Sequence, residues 1–382
     1  MLAVVGATLL GLQLALVAYA ADIDPASYLK SQTNSPDYHV NDIWKKHSHL
    51  PNYAEIEGAA RDTFALLPKE YDPNYKSPCW TVDDEFRCLP YFQILGVSKS
   101  GTTDLYNRLV EHPDMVDCLW KGPHFWDEAS YPVRVKRPGK YDGSMEAYVG
   151  IFDKIAPKIK ANKNAITGEA SSNTFTAVFS HLRGRVLNKR INATLSQYLW
   201  EASPWARYIV MFRDPVTRYR SAFFYYRTKS LPKATDKEFL DRVTEDIKEW
   251  QNCLKEANKL FCLKMYTPQQ LVKGMYSDFL APWLDLWPRD RFLFMRTEDY
   301  KVAPVDHVKT TMKFLGLRDL SQSEMKNILA LEAKNTQSSK YDDSQLSPEL
   351  QKAYKMLQDF YRPYNQALSK AFGDDPRWLW GY

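Results

Sequence analysis

The stretch YFQILGVSKSGTTDLYNRL (residues 91–109) predicts a strand, a loop and a helix in succession. Its apolar run ends at a Ser-Lys-Ser-Gly turn, and apolar residues then recur at helical spacing until Pro113 ends the pattern. The same order returns at RYIVMF (207–212) and RFLFMR (291–296), each followed by a helical pattern. This alternation predicts an α/β fold, a P-loop-like three-layer sandwich with a central, mainly parallel sheet covered on both faces.

Length and composition indicate a folded protein with one large domain. The chain has 382 residues, of which 45% are hydrophobic and 25% charged. Residues 21–87 predict an irregular N-terminal arm with short helices, one of them around 53–67, and residues 88–382 predict the compact domain. The net charge of +5 is too small for a nucleic-acid polycation but is compatible with an anionic ligand in a local cleft.

Residues 1–20 are continuously apolar and end in Ala-Tyr-Ala, a small-x-small pattern that signal peptidase cleaves. They predict a secretory signal peptide. A retained membrane anchor is the alternative, because the apolar length is close to the roughly 20 residues that span a bilayer. Either way the rest of the chain is expected in the lumen of the secretory pathway or outside the cell. Asn192, in Asn-Ala-Thr, is a candidate glycosylation site.

The cysteines predict two local disulfides. Cys79 with Cys88 and Cys253 with Cys262 each close a short loop, and Cys118 is expected to be a free buried thiol. Zinc is disfavoured, because no CxxC motif or clustered histidine accompanies these cysteines.

The loop of residues 97–101 has the composition of an anion site. A loop between a buried strand and a helix N-terminus directs several backbone N–H groups at one spot. Gly101 allows a close approach, Thr102 and Thr103 add hydroxyl donors, and Lys99 adds a positive charge. The alternative is a Gly-Thr helix cap with a solvated lysine. The nucleoside-triphosphate loop GxxxxGK[ST] places its lysine after the second glycine, whereas Lys99 precedes it.

A second strand-to-helix junction, RDPVTRYRS (213–221), predicts a second anion socket. Pro215 suits the first position of a helix. Arg213 precedes that position, and Ser221 follows Arg213 by about two helical turns. Both side chains could therefore meet a second phosphate, which suits a donor with phosphates at both ends of a nucleoside.

Together, GVSKSGTT and FRDPVTRYRSAFF resemble the two donor-binding motifs of the Golgi-type sulfotransferases, which use 3′-phosphoadenosine 5′-phosphosulfate (PAPS). KGPHFWD, ITGEASSNT and LQDFYRPYNQAL extend this resemblance from about residue 88 to the C-terminus, closest to the N-acetylgalactosamine 4-sulfate 6-O-sulfotransferase group. The resemblance implies that the 5′-phosphosulfate is held by Lys99, Ser100, Gly101, Thr102 and Thr103. It likewise places Arg213 and Ser221 on the 3′-phosphate, and Lys334 and Lys340 in a loop that closes over the donor.

The resemblance leaves the general base open. Heparan-type relatives have a glutamate where this chain has Gly122, which cannot titrate. If GPHFW is extended, His124 faces the same side as residue 122, and histidine ordinarily titrates near neutrality. Glu169, which follows a short predicted strand, is the other candidate. We hypothesise that His124 or Glu169 is the base, with a structural role as the alternative for each, and that Lys99 stabilises the leaving oxygen.

The predicted activity is transfer of a sulfuryl group from PAPS to an acidic glycan, with no metal required. The resemblance favours a chondroitin/dermatan-type acceptor at the 6-O position of GalNAc 4-sulfate, in the Golgi lumen or after secretion. Residues 134–140 and the cations at 183–190 could follow such a glycan, although solvated surface charge is the ordinary role of such groups. No nucleic-acid partner is expected. The alternatives are a secreted glycan-binding protein that has lost catalysis and, disfavoured by the lysine order, a P-loop kinase.

Overall fold

The computed structural model describes residues 39–118, 120–127, 144–179, 193–227, 234–331 and 346–382. Two sheets are present in these ranges. Their strands are β1 (Cys79–Val82), β2 (Glu85–Cys88), β3 (Phe92–Gly96), β4 (Met115–Val116), β5 (Ile166–Glu169), β6 (Arg207–Phe212) and β7 (Phe292–Arg296).

The larger sheet has five strands in the order β4-β5-β3-β6-β7, and every neighbouring pair is parallel. Strands β3, β5 and β6 are buried along their whole length, and the sequences of β3 and β6 are accordingly mostly apolar. This sheet confirms the predicted fold class. Because the strands are parallel, the loops that follow β3, β5, β6 and β7 meet at one edge, the carboxyl edge.

Helices cover the sheet and form the arm. In chain order they are α1 (Val40–Lys46), α2 (Tyr53–Ala59), α3 (Arg61–Leu66), α4 (Thr102–Leu109), α5 (Met145–Asp153), α6 (Ala156–Ala161), α7 (Leu195–Ala202), α8 (Pro215–Arg227), α9 (Asp236–Glu256), α10 (Lys259–Met265), α11 (Gln269–Val272), α12 (Tyr276–Leu284), α13 (Thr297–Val302), α14 (Pro304–Phe314), α15 (Gln322–Leu329) and α16 (Pro348–Ala371).

The three strands predicted from the sequence are confirmed as β3, β6 and β7, and the helices that follow β3 and β6 are confirmed as α4 and α8. The helical pattern after β7 forms two helices rather than one, because Pro304 begins a new helix as its first residue. The short helix expected around residues 53–67 is likewise divided, into α2 and α3.

Strands β1 and β2 form a separate antiparallel hairpin at the start of the domain. A disulfide between Cys79 and Cys88 closes it, and a second disulfide joins Cys253 to Cys262. Cys118 is a buried free thiol. All three cysteine predictions are therefore confirmed, and the disulfides fit a protein of the secretory pathway.

The N-terminal arm packs on the domain through aromatic rings. The ring of Trp44 in α1 lies 5.5 Å from that of Trp205, just before β6, and 5.8 Å from that of Tyr71. Within the described ranges, no helix has the length and apolar content needed to cross a bilayer. Some sequence predictions lie outside these ranges: residues 1–20, 134–140 and 183–190, Asn192, Lys334 and Lys340.

Candidate active site

The loop between β3 and α4, residues 97–101, is here called the anion loop. It turns tightly, with a hydrogen bond of 3.1 Å from the Ser100 amide to the Val97 carbonyl. Gly101 has φ +86° and precedes the first residue of α4, whose first N–H groups have no partner within the helix. Left-handed backbone of this kind favours glycine. The hydroxyls of Ser98 and Ser100 are buried and have no hydrogen-bond partner among the described residues.

Residues that directly follow β6 and β7 donate hydrogen bonds to the anion loop at the carboxyl edge. Arg213 donates from Nη1 to the Lys99 carbonyl at 3.1 Å and from Nε to the Thr217 hydroxyl at 3.1 Å. Thr297 donates to the carbonyls of Ser100 at 2.7 Å and Phe212 at 2.9 Å. The predicted site residues Lys99 and Arg213 are therefore neighbours, as two adjoining sockets require.

One face of α8 lines the same space. Thr217, Ser221 and Tyr225 recur every fourth residue and so share a helix face. Thr217 contacts Arg213, and the Tyr225 ring lies 3.5 Å from the Lys99 ammonium. Ser221, between these two contacts, lies on the face directed at the anion loop. Burial lowers the pKa of Arg213, although arginine stays charged at any physiological pH.

A second group of polar side chains, here called the carboxylate network, consists of His124, Asp127, Glu169 and Ser171. His124 Nδ1 lies 2.9 Å from Asp127 Oδ1. The His124 amide donates to the Ser171 hydroxyl at 2.9 Å, and that hydroxyl donates to Glu169 Oε2. Tyr148 donates to Glu169 Oε1 at 3.3 Å. Glu169 ends β5, and its loop contacts β3 through the Phe175 amide and the Leu95 carbonyl at 2.9 Å.

The expectation of an extended GPHFW segment is wrong at His124, which has φ +55°. The side chain nevertheless reaches the region expected of it. A Cβ atom placed on Gly122 would lie 3.4 Å from His124 Nε2 and 3.0 Å from the Ala170 carbonyl oxygen. The turn, rather than strand alternation, therefore brings the imidazole beside residue 122.

Burial sets the protonation of this region. Removal from water raises the pKa of Glu169 to about 7, with the hydrogen bond from Ser171 opposing the shift. Burial also lowers the pKa of Lys121 to about 8. Lys121 donates to the Ala170 carbonyl at 3.3 Å beside Gly122. Two groups with pKa values moved toward neutrality at one sheet edge are characteristic of functional sites.

Glu298 has a structural role at this edge of the sheet. Its carboxylate accepts the Asp214 amide at 3.0 Å and the Trp380 indole N–H at 3.1 Å, so it fixes the start of α8. Tyr382 donates to Asp214 at 2.8 Å from the same C-terminal segment.

Five residues that shape the site were not among the predicted ones: Ser98, Lys121, Asp127, Thr297 and Tyr225. Asp127 had a local signal, since it follows His124 at a spacing of three residues in KGPHFWD. Tyr225 also had one, because it continues the fourth-residue spacing of Thr217 and Ser221. Thr297 had none, since its two contacts depend on the order of the strands.

Two strand-to-helix loops that present cations and helix N-termini at one edge of a parallel sheet are typical of the α/β proteins that bind phosphate-bearing ligands. Comparison with known protein families identifies the family within this class. Residues 90–357 match the model of the sulfotransferase domain. The chain therefore belongs to the sulfotransferase family.

Individual relatives agree with this membership. Human carbohydrate sulfotransferase 15 is 28% identical over 394 aligned residues, which cover 85% of this chain and 69% of the relative. Mouse bifunctional heparan sulfate N-deacetylase/N-sulfotransferase 2 is 24% identical over 84% of this chain and 35% of the relative. A sulfotransferase structure from Alicyclobacillus acidocaldarius has a TM-score of 0.50 at 22% identity, covering 76% of this chain and 98% of that one, and shares the fold.

Proposed function

We propose that this chain transfers the sulfuryl group of PAPS to a hydroxyl of a chondroitin- or dermatan-type glycan, with the 6-O position of GalNAc 4-sulfate favoured. The products are the sulfate ester and 3′,5′-ADP. The observation that supports the proposal is the contact between the anion loop and Arg213, which joins two cationic loops that follow adjacent parallel strands. The similarity to human carbohydrate sulfotransferase 15 supports a carbohydrate acceptor.

The anion loop is proposed to hold the 5′-phosphosulfate. Lys99 supplies the charge, the hydroxyls of Ser100, Thr102 and Thr103 supply donors, and Gly101 permits close approach. The buried hydroxyls of Ser98 and Ser100, which have no partner in the described part of the chain, support a ligand at this place, because buried polar groups in proteins are ordinarily hydrogen-bonded. Arg213 and Ser221 are proposed to hold the 3′-phosphate, and Lys340 to close over the donor.

The carboxylate network is proposed to remove the acceptor proton. The acceptor oxygen attacks sulfur, the bond from sulfur to the 5′-phosphate oxygen breaks, and Lys99 stabilises the charge that develops on that oxygen. His124 is the proposed base, because Asp127 holds Nδ1 and Nε2 lies on the Gly122 side. Glu169 is completely buried and already accepts hydrogen bonds on both oxygens, so we assign it a positioning role.

Incubation with radiolabelled PAPS and a panel of chondroitin, dermatan and heparan acceptors tests the proposal. We expect label on GalNAc 4-sulfate units, located by disaccharide analysis. A chain that retains the polymer without labelling it would instead be a glycan-binding protein that has lost catalysis, the alternative that Gly122 motivates. Isothermal titration separates the kinase alternative, since tighter binding of ATP–Mg²⁺ than of 3′,5′-ADP would contradict a PAPS site.

We also propose a cellular location, which the disulfides and the acceptor support. Both disulfides require an oxidising compartment, and a glycan acceptor is available in the lumen of the secretory pathway. We propose the Golgi lumen, with residues 1–20 acting either as a cleaved signal or as an anchor. Immunofluorescence of the full chain, with mass spectrometry of its N-terminus, separates these two cases.

A further inference from the structure

Two histidines of the N-terminal arm converge on one buried carboxylate of the domain. His47 Nε2 lies 3.1 Å and His49 Nδ1 lies 2.7 Å from the same oxygen, Oε2 of Glu201. Glu201 is near the end of α7, and residues 203–206 connect this helix to the amino end of β6. The cluster therefore lies toward the amino edge of the sheet, opposite the anion loop, and takes no part in the chemistry proposed above.

The donor atoms are those of a transition-metal site. Imidazole nitrogen and carboxylate oxygen bind zinc at about 2.0–2.2 Å, which places tetrahedral ligand atoms about 3.3 Å from one another. The donor atoms of the three side chains all lie within 4.8 Å of one another, so only a small contraction would bring them around one ion. Oε1 of Glu201 accepts the Leu50 amide at 2.7 Å, which leaves Oε2 as the ligand. This bond fixes the carboxylate, as hydrogen bonds to ligating side chains do at metal sites.

Neighbouring aromatic side chains hold both imidazole rings in position without an ion. His47 directly follows α1 and has an extended backbone, so residues 47 and 49 can face the same side. The His49 ring stacks on Tyr53 with centroids 3.9 Å apart, and the His47 ring lies 5.3 Å from that of Trp200. Pre-positioned ligands reduce the entropy that binding must overcome.

The three side chains differ in solvent exposure, and the site is open to solvent on the side of His49. Glu201 is 0% and His47 4% exposed, whereas His49 is 55% exposed. An ion held here would have protein on one side and solvent beside His49. Three protein ligands with water in the fourth position are the arrangement of catalytic zinc sites, and water could complete the coordination of an ion here in the same way.

We propose that His47, His49 and Glu201 form a binding site for a divalent transition-metal ion of the zinc type, which joins the N-terminal arm to the α/β domain. The two histidines come from the arm and the carboxylate from the domain, so one ion would crosslink segments about 150 residues apart in sequence. The competing structure is a hydrogen-bonded clamp of the same three side chains without an ion.

Metal content of the full chain, purified from a secretory host, tests the proposal. After equilibration with Zn²⁺ and removal of free ion, we expect about one zinc per chain. His49→Gln, at the exposed position, and Glu201→Gln should each lose most of this zinc. His307→Gln is the matched control, because its half-buried imidazole contacts the Ala303 carbonyl in a different region.

Thermal unfolding provides a second measurement. Zn²⁺ should raise the Tm of the wild type and of His307→Gln by several degrees and leave that of His49→Gln unchanged. Wild-type protein that holds no zinc and shows no Zn²⁺-dependent Tm would overturn the proposal in favour of the hydrogen-bonded clamp, as would His49→Gln that retains wild-type zinc. Neither measurement depends on sulfuryl transfer, so failure here is distinct from failure of the proposed function.

Discussion

The anion loop and the carboxylate network lie at the same sheet edge but differ in the hydrogen bonding of their polar side chains. In the anion loop, the hydroxyls of Ser98 and Ser100 are buried without a partner in the described ranges. In the carboxylate network, His124, Ser171 and Glu169 are joined by hydrogen bonds within the protein. The charges also differ: Lys99 and Arg213 are cations, whereas Asp127 and Glu169 are carboxyl groups.

In the mechanism that we propose, the two steps of transfer therefore belong to different parts of the site. A cationic loop whose buried hydroxyls lack partners among the described residues can bind an anion. The sulfuryl donor is such an anion. A prefolded network of carboxyl groups around an imidazole suits proton removal from the acceptor. Substitutions in the anion loop should therefore affect donor binding and charge stabilisation, and substitutions in the network should change the pH dependence.

The largest effect is expected from Lys99→Gly, which removes the cation of the anion loop and keeps its backbone. Lys99 has φ +72°, a conformation that glycine adopts without steric cost. Since a single group that stabilises transition-state charge contributes about 10²–10³-fold, kcat should fall by about 10³-fold. The Tm should not fall. Steady-state assays with radiolabelled PAPS and scanning calorimetry measure the two quantities.

Lys309→Ala is the charge-matched control for Lys99→Gly, because Lys309 is an exposed lysine of α14. Its kcat should equal that of the wild type. If Lys99→Gly transferred sulfuryl groups at the wild-type rate, the assignment of the anion loop to the reacting group would be wrong.

The next largest effect is expected from His124→Asn in the carboxylate network. Asparagine tolerates the left-handed backbone that His124 adopts, so the fold should be kept. Loss of a general base should lower kcat by about 10²-fold or more and remove the limb of the pH–rate profile that reports the base. Glu169→Gln should keep that limb with a reduced rate. Wild-type activity in both variants would contradict any base within this network.

The buried carboxyl group of Glu169 should also make the free energy of unfolding depend on pH. Its pKa in the folded protein is about 7, against 4.5 for an ordinary glutamate, because burial disfavours the charged form. The folded state therefore holds this proton more tightly than the unfolded chain does. The contribution to the free energy of unfolding is present below pH 4.5 and is lost as the pH rises to about 7, by roughly 3 kcal/mol in total.

Urea unfolding of the wild type and Glu169→Gln at pH 5 and pH 8 measures this contribution. We expect Glu169→Gln to lose less stability than the wild type between the two pH values. Glu111→Gln, which changes an exposed glutamate, should follow the wild type. Identical pH dependence in Glu169→Gln and the wild type would mean that Glu169 is not held protonated by burial.

The anion loop was more predictable from the sequence than the carboxylate network. The loop lies within one strand-turn-helix unit, so the apolar run of β3, the turn and α4 locate Lys99 and Gly101 by local spacing alone. Arg213 was predictable for the same reason, since it lies between the strand and the helix of a second unit of this kind. Local periodicity and turn chemistry are the strongest signals that a single sequence carries.

The carboxylate network could not be predicted in this detail, because its bonds depend on strand order and on an irregular turn. Glu169 contacts Tyr148, 21 residues away, and Ser171 contacts the His124 amide, 47 residues away, so both bonds depend on tertiary packing. His124 meets residue 122 through a left-handed backbone that strand alternation does not describe. The contact between the arm and Glu201 likewise joins residues that no local pattern connects.

The smallest effect is expected from Tyr225→Leu, which tests how far α8 controls the anion loop. The Tyr225 ring lies 3.5 Å from the Lys99 ammonium. A cation–π contact of about 0.5–1 kcal/mol corresponds to a two- to fivefold change, so kcat/KM for the donor should fall by about that factor. Tyr225→Phe keeps the ring and should behave as the wild type. An equal loss in Tyr225→Phe would assign the effect to the phenol hydroxyl, and tighter donor binding in Tyr225→Leu would mean that the ring competes with the donor for Lys99.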